Sequence, residues 1–141
     1  MNVIVKDTGF GADDWTQGYV ALDAVSGTTS TALAIDVDSG ADPETMRPLL
    51  DRADLIRIDF PNFADGRGFT IARRLRLMKY QGRLRAKGHV IADQYAMARR
   101  SGFDEIEIEA ELAARQPEAQ WLSRANWRDN DYQALVRATA S

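Results

Sequence analysis

The chain has 141 residues, is 45% hydrophobic and 28% charged, and carries a net charge of −3. This size and composition fit a single domain, residues 1–141, with a packed core. The absence of cysteine and the single histidine exclude disulfides, thiolate catalysis, iron–sulfur clusters and multi-histidine metal sites. No apolar run reaches about 18 residues and no signal peptide is visible, so we expect a cytoplasmic protein without a membrane partner. We also expect no metal site.

Charge is distributed unevenly along the chain. Residues 57–87 contain nine basic and two acidic residues, whereas the rest of the chain contains nine basic and 19 acidic residues. A basic centre in an acidic chain indicates either an anion site or internal pairing between the two regions. The acidic balance of the whole chain argues against nucleic acid as a partner.

The first 30 residues predict an irregular N-terminal appendage. The β-branched run Val3-Ile4-Val5 is followed by glycines and aspartates, and residues 26–30 have the composition of a loop. We expect a strand with a return, as in a hairpin, and a further short strand between Gly18 and Val25.

Residues 31–115 alternate between strands and helices and form the expected βα core. Strands are expected at 31–37, 55–60, 83–87 and 104–109, each followed by a helix. Short links of this kind predict an α/β fold with a mainly parallel four-stranded sheet built of sequential βα units. Residues 116–141 form a tail with Trp121, Trp127 and Tyr132, which we expect to pack on the core or on a partner chain.

Strands two to four alternate apolar and charged residues instead of being apolar throughout. The charged positions are Arg57, Asp59, Arg83, Arg85, Lys87, Glu105, Glu107 and Glu109. Alternation favours helices on one face only, as in half of a (βα)8 barrel. The charged face then needs a cross-strand ladder, a partner subunit or water, and a homodimer would also cover the open sheet edges.

The segment from Asp65 to Thr70 is a candidate anion-binding turn. It reads Asp65-Gly66-Arg67-Gly68-Phe69-Thr70 and leads from a strand into a basic helix. Helix N-termini attract anions, glycines allow close approach of the backbone, and Arg67 is suited to bind sulfate, sulfite or phosphate with two hydrogen bonds. The alternative is a structural turn in which Asp65 caps the helix, the glycines supply positive φ and Arg67 pairs with an acid.

The carboxyl ends of neighbouring parallel strands meet at one edge of a sheet. We therefore expect Asp59, Arg67, Lys87 and His89 to line one crevice, and the expected anion site also includes Arg85. Asp38 and Glu109 follow strands one and four and would join them. Asp59 and His89 are the candidate catalytic residues, as general acid or base. The alternative is a solvated rim with ordinary ion pairs.

Three arginines follow in the basic helix, at Arg73, Arg74 and Arg76. No aromatic residues interleave with them, so they do not indicate a nucleic-acid surface. A solvated helix face or a protein-docking face fits them better.

Several segments resemble a bacterial family of unknown function that is encoded beside sulfite reductase and other sulfate-assimilation genes. They are Asp59-Phe60-Pro61, residues 65–73, residues 82–88, Asp93-Gln94, Gly102-Phe103-Asp104, Lys6-Asp7, Asp14-Trp15 and Tyr132-Gln133. The chain departs from the family pattern at Thr70, where serine is usual, and at His89, where an acid or amide is expected. Members are labelled as oxidoreductases of sulfite reduction, a label that rests on gene neighbourhood and supplies no catalytic residues.

Two functions are consistent with this sequence. The resemblance implies a non-catalytic accessory protein of sulfite reduction that docks on sulfite reductase or another sulfate-assimilation protein. No flavin or nicotinamide fingerprint is present, so we expect no cofactor. The alternative is a half-barrel enzyme or binding protein for a small anion containing sulfur or phosphate.

Overall fold

The computed structural model describes residues 2–27 and 32–127 and contains a seven-stranded, mostly parallel sheet. The strands are β1 (Asn2–Lys6), β2 (Gly9–Gly11), β3 (Val20–Ala21), β4 (Ala34–Val37), β5 (Leu55–Phe60), β6 (Arg83–Gly88) and β7 (Glu105–Glu109). The helices are α1 (Arg67–Leu77), α2 (Tyr95–Ser101), α3 (Ala110–Arg115) and α4 (Glu118–Leu122), with 3-10 helices at Leu22–Gly27, Pro43–Leu49 and Ala92–Gln94. Within the described ranges, no helix is long and apolar enough to cross a membrane.

The strands lie in the order β2-β1-β7-β6-β5-β4-β3. β4 to β7 pair sequentially and in parallel, which confirms the α/β rhythm expected from the sequence. The N-terminal segment adds β3 in parallel to β4, and adds β1 and β2 antiparallel at the β7 edge. The sheet thus has seven strands instead of four, and a half-barrel arrangement is not confirmed. Pairing between segments distant in sequence leaves no local pattern, so the sequence did not reveal these additions.

The connection between β4 and β5 is a 3-10 helix, Pro43–Leu49. Asp42 caps its start, because the Asp42 side chain accepts a hydrogen bond from the Glu44 amide at 3.0 Å. Pro48 lies inside this helix and has no N–H to donate, which agrees with the absence of a regular α-helix at this position.

The apolar face of the sheet contains the core, on which α1 and α2 pack. Ile58, Phe60 and Leu75 are at most 1% exposed, and Phe60 contacts the ring of Phe69 at 4.9 Å between centroids. Burying side chains of this size supplies about 1.5–3 kcal/mol each, so this layer holds the helices against the sheet.

Residues 12–19, which we call the strap, cross the opposite, charged face of the sheet. They join β2 at one edge of the sheet to β3 at the other. Its Asp13 and Tyr19 contact Arg85 at 3.0 and 2.8 Å. The strap therefore covers the charged face that the sequence analysis left open to a ladder, a partner or water.

The β1–β2 turn and the start of the C-terminal segment also pack on the core. Asp7 accepts hydrogen bonds from Tyr95 at 2.5 Å and from Arg99 and Trp127 at 3.2 Å. Burial raises the pKa of Asp7, but these hydrogen bonds outweigh that effect and lower it below its ordinary value. Trp121 is 1% exposed. The predicted tail residue Tyr132 lies outside the described residues.

Candidate ligand-binding site at the strand ends

A cavity of about 840 Å³ lies at the carboxyl ends of β4, β5 and β6. Its walls come from the 3-10 helices Leu22–Gly27 and Pro43–Leu49, and its floor comes from the sheet. This volume lies in the range of about 300–1,000 Å³ that is typical of small-molecule sites. The position also matches the sheet edge at which open α/β folds bind their ligands.

Five aspartates and two cations line the cavity, namely Asp23, Asp36, Asp38, Asp42, Asp59, Arg57 and Lys87. Asp36 is paired with Arg57, with Nε to Oδ1 at 2.6 Å and Nη2 to Oδ2 at 2.8 Å. This bidentate pair is internally satisfied, so it shapes the floor without offering a free charge.

Asp59 and Lys87 are register partners on the adjacent strands β5 and β6. Both side chains line the cavity, and neither has a hydrogen-bond or ion-pair partner among residues 2–27 and 32–127. They are therefore available to contact a ligand. The sequence predicted that these two residues would meet at one sheet edge, and the structure places them there.

The turn from Asp65 to Thr70 leads into α1. Its arginine, Arg67, already has hydrogen-bond partners within the protein. Arg67 contacts Asp65 twice, with Nε to Oδ1 at 3.0 Å and Nη2 to Oδ2 at 2.7 Å, and donates to Ser39 Oγ at 2.9 Å. Hydrogen bonds from Arg67 hold the pKa of Asp65 well below its usual range. Arg67 is exposed, as is Thr70, but Arg67 does not line the cavity. An anion at this turn would have to compete with Asp65 for the guanidinium.

The two glycines of this turn do not supply positive φ. Gly66 has φ −93°, and Gly68 lies within α1. Gly68 is needed for space instead, because a Cβ there would lie 2.5 Å from the Phe60 ring. Positive φ occurs at Gly88, where φ is 115° and a Cβ would lie 2.7 Å from the Phe60 carbonyl oxygen.

His89 and Arg85 lie away from the cavity that Asp59 and Lys87 share. The His89 Nδ1 lies 3.2 Å from the Phe60 carbonyl oxygen, and its ring packs edge-on against Phe63 with centroids 5.1 Å apart. Neither His89 nor Arg85 lines the cavity, and Glu109 does not line it either. The expected crevice thus contains Asp38, Asp59 and Lys87 of the residues assigned to it.

Arg85 is instead the centre of a charged cluster beneath the strap. Its members are Arg57, Arg83, Arg85, Glu105 and Glu107, and all but the half-buried Arg83 are buried. Arg85 is fully buried and donates to Glu105 at 2.7 Å and to Glu107 at 3.0 Å. Its Nη2 lies 2.6 Å from Glu105 but outside hydrogen-bond geometry, so that contact is an ion pair alone. Of the three options left open by the sequence for this face, the structure contains the cross-strand ladder, since Arg85 and Glu105 are register partners.

The three arginines of α1 that were candidates for docking, Arg73, Arg74 and Arg76, have different environments. Arg73 is exposed, and Arg74 pairs with Glu44 at 3.2 Å. Arg76 donates to the carbonyl oxygens of Tyr80, Gly82 and Gly102 and to the Asp104 carboxylate. Arg76 therefore ties the end of α1 to the loop before β7, and its donors are not free for docking.

The cavity walls and Asp36 were not predicted from the sequence. Leu22, Asp23, Thr45 and Leu49 lie on 3-10 helices, which show no periodic apolar pattern. Asp36 did carry a signal, because it is a charged residue inside an apolar strand and lies opposite Arg57 in the register.

The mostly parallel sheet, the helices and the cavity at the strand ends define an α/β protein with the geometry of a small-molecule site. The sequence profile of a family described as "Bacterial protein of unknown function (DUF934)" matches residues 34–141, so the chain belongs to this family. The match begins at β4, and β1 to β3 with the strap lie before it. No curated protein matches the chain significantly.

Proposed function

We propose that the protein binds a small polar molecule in the cavity at the strand ends, as a binding protein or as an enzyme. The observation that supports this function is the adjacent pair Asp59 and Lys87, which have no partner within residues 2–27 and 32–127 and line a cavity of ligand size. Two opposite charges side by side orient a polar ligand, and in an enzyme Asp59 would act as the base. Leu22, Val37 and Leu49 would cover the apolar part of the ligand.

A thermal-shift screen tests this proposal. The library contains small amines, amino acids and sugars together with sulfite, sulfate, phosphate, adenylylated sulfate and nucleotides. We expect a saturable rise in melting temperature with at least one compound, because a ligand that binds the native state stabilises it. Asp59→Asn or Lys87→Met should weaken that binding about tenfold or more, since each removes a charged contact worth about 1.5–3 kcal/mol.

Asp51→Asn serves as the matched control, since Asp51 is exposed and does not line this cavity. The control should bind the compound like the unaltered protein. The proposal fails if no compound gives a shift that depends on Asp59 or Lys87.

A docking function is the second candidate, and an exposed strip on α1 favours it. Arg73, Arg74 and Leu77 lie at spacings of three and four residues, and Leu77 is 72% exposed. A large exposed apolar side chain flanked by arginines is suited to a partner with an acidic, partly apolar surface. The family resemblance suggests sulfite reductase or another sulfate-assimilation protein as that partner.

Pull-down with purified sulfite reductase tests the docking function. The double substitution Arg73→Glu and Arg74→Glu should reduce capture at least tenfold, because it places like charges opposite an acidic surface. Arg52→Glu with Arg115→Glu changes the net charge equally at other exposed positions and should leave capture unchanged. Equal capture of both double variants would exclude the α1 strip as the docking surface.

A further inference from the structure

We infer that the ligand of the cavity is an extended organic cation, an aliphatic amine with two or more protonated nitrogens. This inference rests on the proposed function and specifies the class of molecule that the cavity takes. It differs from the sulfur- or phosphate-containing anion expected from the sequence, and three properties of the cavity support it.

The first property is charge. When Asp36 and Arg57 are counted as a neutral pair, the remaining charged groups lining the cavity are Asp23, Asp38, Asp42, Asp59 and Lys87. Four carboxylates against one ammonium group leave a net charge of −3. A concave site with this balance concentrates cations and repels anions.

The second property is the spacing of the carboxylates. Asp23 lies on one 3-10 helix, Asp42 caps another, and Asp59 lies on β5. In the part of the chain that the structure describes, no group of three or more acidic, histidine or cysteine side chains could hold a metal ion. These carboxylates therefore do not converge on one metal position, and a ligand that carries separated positive charges fits them better than a single ion.

The third property is the surface between these carboxylates. Leu22, Val37, Ala41 and Leu49 line the same cavity and suit the methylene groups of an aliphatic chain. Asp38 and Asp42 each accept one backbone hydrogen bond through Oδ1. Their second oxygens are left to accept hydrogen bonds from ammonium groups, and so is Asp59, which has no partner in the part of the chain that the structure describes.

Isothermal titration calorimetry of the full chain with a matched four-carbon series tests the inference. The probes are 1,4-diaminobutane, 1,4-butanediol and succinate, which share one chain length and differ in charge, together with the longer triamine spermidine. We expect the diamine to bind, spermidine to bind more tightly, and the diol and succinate not to bind. Affinity should fall as salt is added, because exposed charges are screened.

Two substitutions place the amine in the cavity. Asp59→Asn and Asp38→Asn should each weaken spermidine binding about fivefold or more, while Asp51→Asn, outside the cavity, should not change it. Equal weakening by all three variants would indicate attraction to the acidic surface as a whole and would overturn the inference.

The remaining outcomes separate this inference from the proposed function. Binding of succinate, sulfite or phosphate that Lys87→Met abolishes would overturn the amine class and leave the cavity as a ligand site. Absence of binding by both amines would also overturn the inference, while the library screen would still decide whether the cavity binds another molecule.

Discussion

Replacing Arg85 by methionine is expected to destabilise the fold by about 3–5 kcal/mol, the cost typical of removing one member of a buried ion pair. Arg85 is fully buried and contacts Glu105, Glu107 and Asp13. Methionine keeps much of the aliphatic volume, so the loss reports the missing charge. Equilibrium unfolding in urea, followed by circular dichroism, measures the change.

Two variants provide the controls for Arg85→Met. Arg47→Met removes an exposed ion pair with Glu44 and should leave stability nearly unchanged, because solvent screens such a pair. The double variant Arg85→Met with Glu105→Met removes both partners of one pair and should be less destabilised than the two single effects added. A loss below about 1 kcal/mol for Arg85→Met alone would show that the cluster contributes little.

The pH dependence of this effect follows from Glu107. Burial raises its pKa, but a hydrogen bond from Asn2 and ion pairs with Arg57 and Arg85 outweigh burial and hold the pKa below its ordinary value of about 4.3. Its contribution to stability is therefore complete above about pH 4.3 and is lost as pH falls through the folded-state pKa. The difference between the unaltered protein and Arg85→Met should accordingly shrink in acid.

The sequence predicts the charged cluster but not the strap that covers it. Alternating charges on β5, β6 and β7 indicated one polar face, and arginines beside glutamates indicated a ladder. The contacts of Asp13 and Tyr19 with Arg85 join residues 72 and 66 positions apart. No local pattern encodes such a distance, so the same residues were interpreted as an irregular appendage.

The residues of the candidate site were likewise predicted only in part. The rule that parallel strands end at one edge brought Asp59 and Lys87 together correctly, because it depends only on strand direction. It does not specify where a long side chain points after the strand. Arg67 pairs with Asp65, two residues earlier, and His89 contacts the Phe60 carbonyl oxygen, so neither lines the cavity. Individual side-chain contacts of this kind decide whether a strand-end residue faces a ligand.

Replacing Trp121 by alanine is the other substitution with a large expected effect, about 3–5 kcal/mol. Trp121 lies on α4, is 1% exposed, and packs edge-on against Tyr95 with ring centroids 6.1 Å apart. Its indole N–H donates to the Gln116 carbonyl oxygen at 2.8 Å, so truncation leaves both a void and an unpaired acceptor.

The neighbouring residue supplies a matched control, since Leu122 lies on the same short helix and is 41% exposed. Leu122→Ala should cost less than about 1 kcal/mol, because much of that side chain is already in water. Both variants are compared by urea unfolding and by limited proteolysis after residue 115.

Glu118 on α4 also accepts a hydrogen bond from the Phe10 amide on β2 at 2.8 Å, so release of α4 should expose that edge of the sheet. Equal stability of Trp121→Ala and Leu122→Ala would show that α4 is held by the hydrogen bond between the Glu118 side chain and the Phe10 amide, and not by burial of the indole.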